Sequence, residues 1–120
     1  PSIAQFAALK AFSNEAKEIF EERRNAFHLR KSFLASELKS LGFVIPDEIH
    51  GAFYVYADIS KFSQDAELFC NKLLNEYKVA ITPGTDFGHH KARQHVRFAF
   101  TTSMKDLELG IERLNNALKI

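Results

Sequence analysis

His95-Val96-Arg97-Phe98-Ala99-Phe100-Thr101 alternates apolar and polar positions. Successive side chains of an extended chain take opposite faces, so Val96, Phe98 and Phe100 share one face while His95, Arg97 and Ala99 share the other. The first set belongs against a core, and the segment is read as a strand. Arg97 is then turned away from that core, either as a solvated surface charge or as a ligand for an anion, and alternation by itself favours the first. A guanidinium fixed on a strand suits a carboxylate, because its planar fork donates two parallel hydrogen bonds, which an ammonium does not do.

Working back along the chain, residues 85–94 form a polar loop. Thr82-Pro83-Gly84-Thr85-Asp86-Phe87-Gly88 has two glycines four residues apart but lacks the Gly-Lys-Ser/Thr ending of a phosphate-binding loop, so it reads as a turn with an aromatic plug. Val79-Ala80-Ile81-Thr82 is a short strand closed by Pro83-Gly84. Ser63 precedes an amphipathic helix ending near Tyr77, with Ala66, Leu68, Phe69, Leu73 and Leu74 as its apolar positions. Gly51-Ala52-Phe53-Tyr54-Val55-Tyr56-Ala57-Asp58-Ile59 is a strand rich in aromatic and β-branched residues, and Phe43-Val44-Ile45-Pro46 is a short extended piece stopped by proline. In the other direction, Ser103 and Asp106 form a capping pattern, and Leu107, Ile111, Leu114 and Leu118 give a last helix its apolar stripe.

The first third is helical. In residues 3–12 only Gln5 and Lys10 are polar, so this helix is apolar almost all round and needs cover on more than one side. Ser2 is its expected cap, and Ser13 with Asn14 supplies a break and the next N-cap. Over residues 15–41, Ala16, Ile19, Phe20, Phe27, Leu34, Leu38 and Leu41 recur at helical spacing, and Gly42 is the expected C-cap. At ~1.5 Å per residue this is a rod of about 40 Å, as long as a compact domain of this size is wide, about 35 Å. Either the rod lies across one face of a flat domain, or it connects to something that also covers the apolar helix. Four helices and three or four strands result.

Composition excludes whole classes. The chain has 120 residues with 16 Lys+Arg against 15 Asp+Glu, so it offers no one-signed field for nucleic acid or an anionic membrane. One cysteine closes no intrachain disulfide, and no apolar run approaches the ~20 residues of a membrane span. A reducing cytoplasm is the expected setting. The chain opens at Pro1 and its single methionine is Met104, so it is read as a piece of a longer protein.

Other candidate chemistry is thin. His89, His90 and His95 lack a carboxylate or thiol at ligand spacing, and Lys91 and Arg93 stand among them, which argues against a metal. Cys70 lies inside a helix with no motif around it and reads as a packing residue. Glu21-Glu22-Arg23-Arg24 reads as a solvated helix face. No Ser/His/Asp or Cys/His constellation emerges, so no catalytic residue is assigned.

Taken in order, several blocks resemble the C-terminal small domain of the fold type I, class I/II pyridoxal-phosphate aminotransferases, typified by aspartate aminotransferase. They are Ser2-x-x-Gln5-x-Ala7-Ala8, Arg23-Arg24-Asn25, Gly51-Ala52-Phe53-Tyr54, Leu73-Leu74-x-Glu76, Val79-Ala80-x-x-Pro83-Gly84-x-x-Phe87-Gly88, and Val96-Arg97 followed by Arg113-Leu114. Asn25 departs from the family's usual Arg-Arg-Asp, and His50 precedes the Gly-Ala-Phe-Tyr strand where many relatives have another residue. The resemblance implies an α+β, two-layer small domain, with helices on a small, mostly antiparallel sheet, preceded by a long interdomain helix. Residues 1–120 are then that domain, with 1–41 connecting to a cofactor domain. It implies that Arg97 grips the α-carboxylate of an amino-acid or 2-oxo-acid substrate and that the domain closes over the active site. It also implies that pyridoxal phosphate and its Schiff-base lysine belong to the missing large domain, and that the parent is a homodimer. The fragment alone is expected to be inactive. Alternatives are a carbon–sulfur lyase on the same scaffold, or the aminotransferase-like effector domain of a transcription regulator.

Overall fold

A three-stranded antiparallel sheet organises the chain, and the computed structural model describes residues 1–119. Strand β3 (His95–Ala99) is central, flanked by β1 (Tyr54–Asp58) and β2 (Thr82–Pro83) in the order β1-β3-β2. The register pairs Tyr56 with Arg97 on one side and Thr82 with Arg97 on the other, so Arg97 sits at the middle of the sheet. Val44 adds one isolated antiparallel bridge to Asp58.

Four helices accompany the sheet: α1 (Ser2–Lys10), α2 (Asn14–Leu41), α3 (Ala66–Tyr77) and α4 (Met104–Leu118). Their ends follow local chemistry. The Ser13 hydroxyl accepts from the Ala16 amide at 3.2 Å, and Gly42 ends α2 at φ 96°, in the left-handed region that favours glycine. The Asp65 carboxylate caps α3 by accepting from the Glu67 and Leu68 amides. Ser103 caps α4 through the Asp106 amide, as its capping pattern predicts. Helix α1 follows Pro1 without a side-chain cap, so Ser2 does not play that part and lies inside the helix.

One face of the sheet carries the core. Val55, Ala57, Val96 and Phe98 are buried with Leu34 and Leu38 of α2, Phe69 and Leu73 of α3, and Leu107 and Leu114 of α4. Phe100, 1% exposed just past β3, meets the Phe27 ring edge-on at 6.0 Å and so anchors the middle of α2 to the sheet. The result is a two-layer α+β arrangement, helices on one side of the sheet. Tyr54, Tyr56, His95 and Arg97 lie on the other face and are half-buried.

Three expectations shift. The expected strand at 79–82 pairs only through Thr82 and continues into Pro83, because the Val79 amide is used at the end of α3, donating to the Leu73 carbonyl. The strand expected from Gly51 begins regular pairing at Tyr54, after a bend in which Ala52 takes φ 61°. The loop 85–94 is not featureless: Gly84–Asp86 and Ala92–Gln94 are short 3₁₀ turns.

The shape is elongated, with extents of 52 × 29 × 28 Å and a radius of gyration of 17.0 Å, against about 13–14 Å for a compact chain of this length. Helix α1 buries no residue, and the buried residues of α2, Leu34 and Leu38, both lie in its C-terminal half. Ile3, Phe6, Leu9 and Phe12 are each at least 66% exposed.

Candidate functional site

Arg97 is the site residue read from the sequence, and alternation placed it correctly: Val96 and Phe98 are buried and Arg97 is on the opposite face. It is not, however, a solvated surface charge. The side chain is half-buried, its Nε is shut away from water without a hydrogen-bond partner, and among the described residues it pairs with no carboxylate. Its single hydrogen bond donates from Nη2 to the Thr82 hydroxyl at 3.3 Å. An orphaned, buried N–H costs about 1–3 kcal/mol. A guanidinium so placed attracts an anion.

Aromatic rings enclose it. The guanidinium carbon lies 5.6 Å from the centre of the Tyr54 ring and 4.8 Å from that of Phe87. Beside them, Tyr56 stacks on the His95 imidazole with centroids 4.9 Å apart and planes 11° off parallel. Burial pushes the Tyr56 phenol above its ordinary pKa. The His95 Nδ1 lies 2.9 Å from the Lys91 carbonyl, which suits an N–H donating from that nitrogen.

The 82–88 segment is a turn, but Phe87 does not plug it: the ring is 51% exposed and stands edge-on to Tyr56 at 6.5 Å. What closes the turn is Gly84. A Cβ there would come within 2.4 Å of the Ala92 carbonyl, 2.5 Å of the Tyr56 hydroxyl and 2.8 Å of the His95 carbonyl. Only a residue without a side chain allows this approach. The loop is then tied to α3, with Thr85 donating to Glu67 at 3.1 Å and Arg93 donating to Asp65 at 2.5 Å.

The remaining candidates do not converge on this face. His89 and His90 are exposed, and among the described residues no three His, Cys, Asp or Glu side chains gather to hold a metal. Cys70 is buried against the core, and desolvation, with Asp86 and Glu67 nearby, pushes its thiol up to about 11. Arg24 pairs with Glu21 on an exposed helix face. Arg113 donates to the Lys78 carbonyl at 3.1 Å beside an apolar groove of about 260 Å³ between residues 78–81 and α4, a structural use of that cation. Tyr54, Phe87 and Thr82 were not singled out around Arg97, because what brings them there is strand register and loop path, neither of which has a local sequence signal.

Arg97 thus stands on the open face of a two-layer α+β sheet, with no carboxylate partner among the described residues. The sequence matches the aminotransferase class I and II family over residues 1–114, and the chain belongs to that family. It is 36% identical over 118 residues to the valine–pyruvate aminotransferase of Mycobacterium tuberculosis, covering 98% of this chain and 30% of that protein. It is 40% identical over 121 residues to the aspartate/prephenate aminotransferase of Thermus thermophilus, again 98% of this chain and 30% of that one. The crystal structure of an aminotransferase from Mycobacterium tuberculosis superposes with a TM-score of 0.93 at 35% identity, over 98% of this chain and 30% of its own. The chain therefore spans about a third of the length of the relatives it matches. No helix among the described residues is long and apolar enough to cross a membrane.

Proposed function

We propose that this chain is the substrate-gripping small domain of a pyridoxal-phosphate-dependent aminotransferase, in which Arg97 holds the α-carboxylate of an amino acid or 2-oxo acid. The observation that carries this reading is the state of Arg97: half-buried, flanked by two rings, with an orphaned Nε and no carboxylate partner among the described residues. A carboxylate bound there orients the substrate relative to the cofactor, and its charge draws the lobe shut over the site.

The residues of this chain do not fit the cofactor itself. None of the three strands carries a lysine, and the half-buried Lys31 directs its ammonium to the Ile49 carbonyl at 3.0 Å on another part of the surface. The domain thus supplies the grip, and the cofactor belongs to the remainder of the parent, a cytoplasmic homodimer. The exposed apolar side chains of α1 support the same division. A helix with Ile3, Phe6, Leu9 and Phe12 in the open calls for cover, and residues 1–41 serve as the connector to the cofactor domain.

The test is Arg97→Ala in the whole protein. Turnover should collapse for amino acids while cofactor absorbance stays intact; wild-type turnover across several amino donors would remove the reading. An upstream winged helix-turn-helix would favour the regulator, and elimination of a thiol product would favour the lyase.

A further inference from the structure

We propose that Phe87 is the positioning residue for Arg97, a role that rests on the carboxylate-gripping reading of that arginine. Hydrogen bonding leaves the Arg97 side chain poorly fixed. Its one bond, to Thr82, is long at 3.3 Å, and a long side chain tethered by one weak bond loses its orientation readily. The Phe87 ring makes up for this: its centre is 4.8 Å from the guanidinium carbon, nearer than that of Tyr54 at 5.6 Å.

The geometry separates two functions. A guanidinium donates its hydrogen bonds in its own plane and presents its faces to rings. A ring set over the cation therefore fixes the plane of the fork without competing for the donors that a carboxylate needs. Tyr54 belongs to β1, and its place is dictated by the sheet. Phe87 comes from outside the sheet, on the loop closed by Gly84 and fastened to α3 through Thr85 and Arg93. Its amide donates to the Gly84 carbonyl at 2.9 Å, and its ring rests edge-on against Tyr56. A large apolar residue that is 51% exposed yet held from both ends is placed for a neighbour, and the cation it faces is Arg97.

The test is a double-mutant cycle in the whole cofactor-loaded protein, with steady-state kinetics on one good amino donor. A cation–ring contact that is partly exposed corresponds to about a three- to tenfold effect on binding. Phe87→Leu should therefore raise KM by about that factor with kcat little changed, the signature of lost uniform binding. Phe87→Tyr, which keeps a ring, should restore KM. In the Arg97→Ala background, Phe87→Leu should have no further effect. The proposal is overturned if Phe87→Leu is neutral while Arg97→Ala is costly, or if the Phe87→Leu effect persists undiminished without Arg97, which would place the ring on the substrate. It is also overturned if Phe87→Leu lowers kcat and thermal stability together with no KM change, the pattern of a structural residue. A neutral Arg97→Ala is a different failure, and it removes the carboxylate reading itself.

Discussion

Thr82 and Arg97 stand opposite each other in the β2–β3 ladder and are also joined side chain to side chain, the Arg97 Nη2 donating to the Thr82 Oγ1 at 3.3 Å. The backbone register thereby sets the one side-chain hydrogen bond that Arg97 makes among the described residues. Thr82→Val keeps the volume and removes the acceptor. A hydrogen bond from a charged donor contributes roughly 1.5–3 kcal/mol at good geometry, but this one is long, so kcat/KM should fall only about two- to fivefold, with folding unchanged. Unaltered kinetics would show that Thr82 does not orient the guanidinium.

Arg97→Lys tests the fork. The charge stays but the paired geometry goes, and one charge-assisted hydrogen bond is worth roughly 1.5–3 kcal/mol. The expected loss in kcat/KM is about ten- to a hundredfold, since each ~1.36 kcal/mol is a factor of ten. Arg97→Ala should cost more, because the carboxylate then meets no counter-charge. Near-neutral behaviour of both variants would return Arg97 to the status of an ordinary surface cation.

Much of the fold was legible because its periods are distinct. The three-and-four spacing through Ala16, Phe27, Leu34 and Leu38 marks α2, and the two-residue alternation of Val96, Phe98 and Phe100 marks both β3 and the face from which Arg97 points. The edge strand was misplaced because 79–81 has the same alternation, Val79 and Ile81 half-buried and Ala80 exposed, without the ladder. Side-chain pattern reports burial, whereas pairing depends on where the Val79 amide finds its acceptor. Arg97 could be named from the sequence, but its surroundings could not: Tyr54 and Phe87 reach it from 43 positions upstream and 10 positions upstream along unrelated paths.

Acid should loosen the helix caps. The Leu68 amide and the Arg93 guanidinium hold the Asp65 carboxyl below its ordinary pKa, and the Ser103 and Thr102 hydroxyls do the same for Asp106. A depressed folded-state pKa gives stability that is fully present above the unfolded value and lost as pH falls through the folded one, so the loss lies below about pH 4. Thermal unfolding followed on acidification should show this limb, and Asp65→Asn with Asp106→Asn should flatten it. An identical limb in the double variant would assign the acid sensitivity elsewhere.

Gly84→Ala should damage both stability and binding. Its methyl would strike two backbone carbonyls, those of Ala92 and His95, which have no rotamer by which to move aside. Overpacking of this kind costs about 1–3 kcal/mol. The melting temperature should drop, and KM should rise as the loop that carries Phe87 shifts. A variant with wild-type melting and KM would mean that the turn relaxes freely.

The 120-residue chain by itself should neither catalyse nor hold pyridoxal phosphate stoichiometrically, and its α1 should drive self-association through Ile3, Phe6, Leu9 and Phe12. Scattering and absorbance titration check both. A monomer with α1 ordered and bare, or one lysine labelled stoichiometrically and tied to turnover, would contradict the division of labour.

The projecting half of α2 acts mechanically as a cantilever. Phe27 is the first of its residues to pack on the core, so the 13 residues from Asn14 to Ala26 stand clear of it, a beam of about 20 Å at ~1.5 Å per residue. Over that length a 1 Å displacement of the tip corresponds to about 3° of rotation at the root. The root is also where Phe27 meets Phe100, immediately past the strand that bears Arg97. The Phe27–Phe100 contact therefore ties the root of this beam to the end of that strand, and a tilt of the beam would be resisted first at this pair of rings.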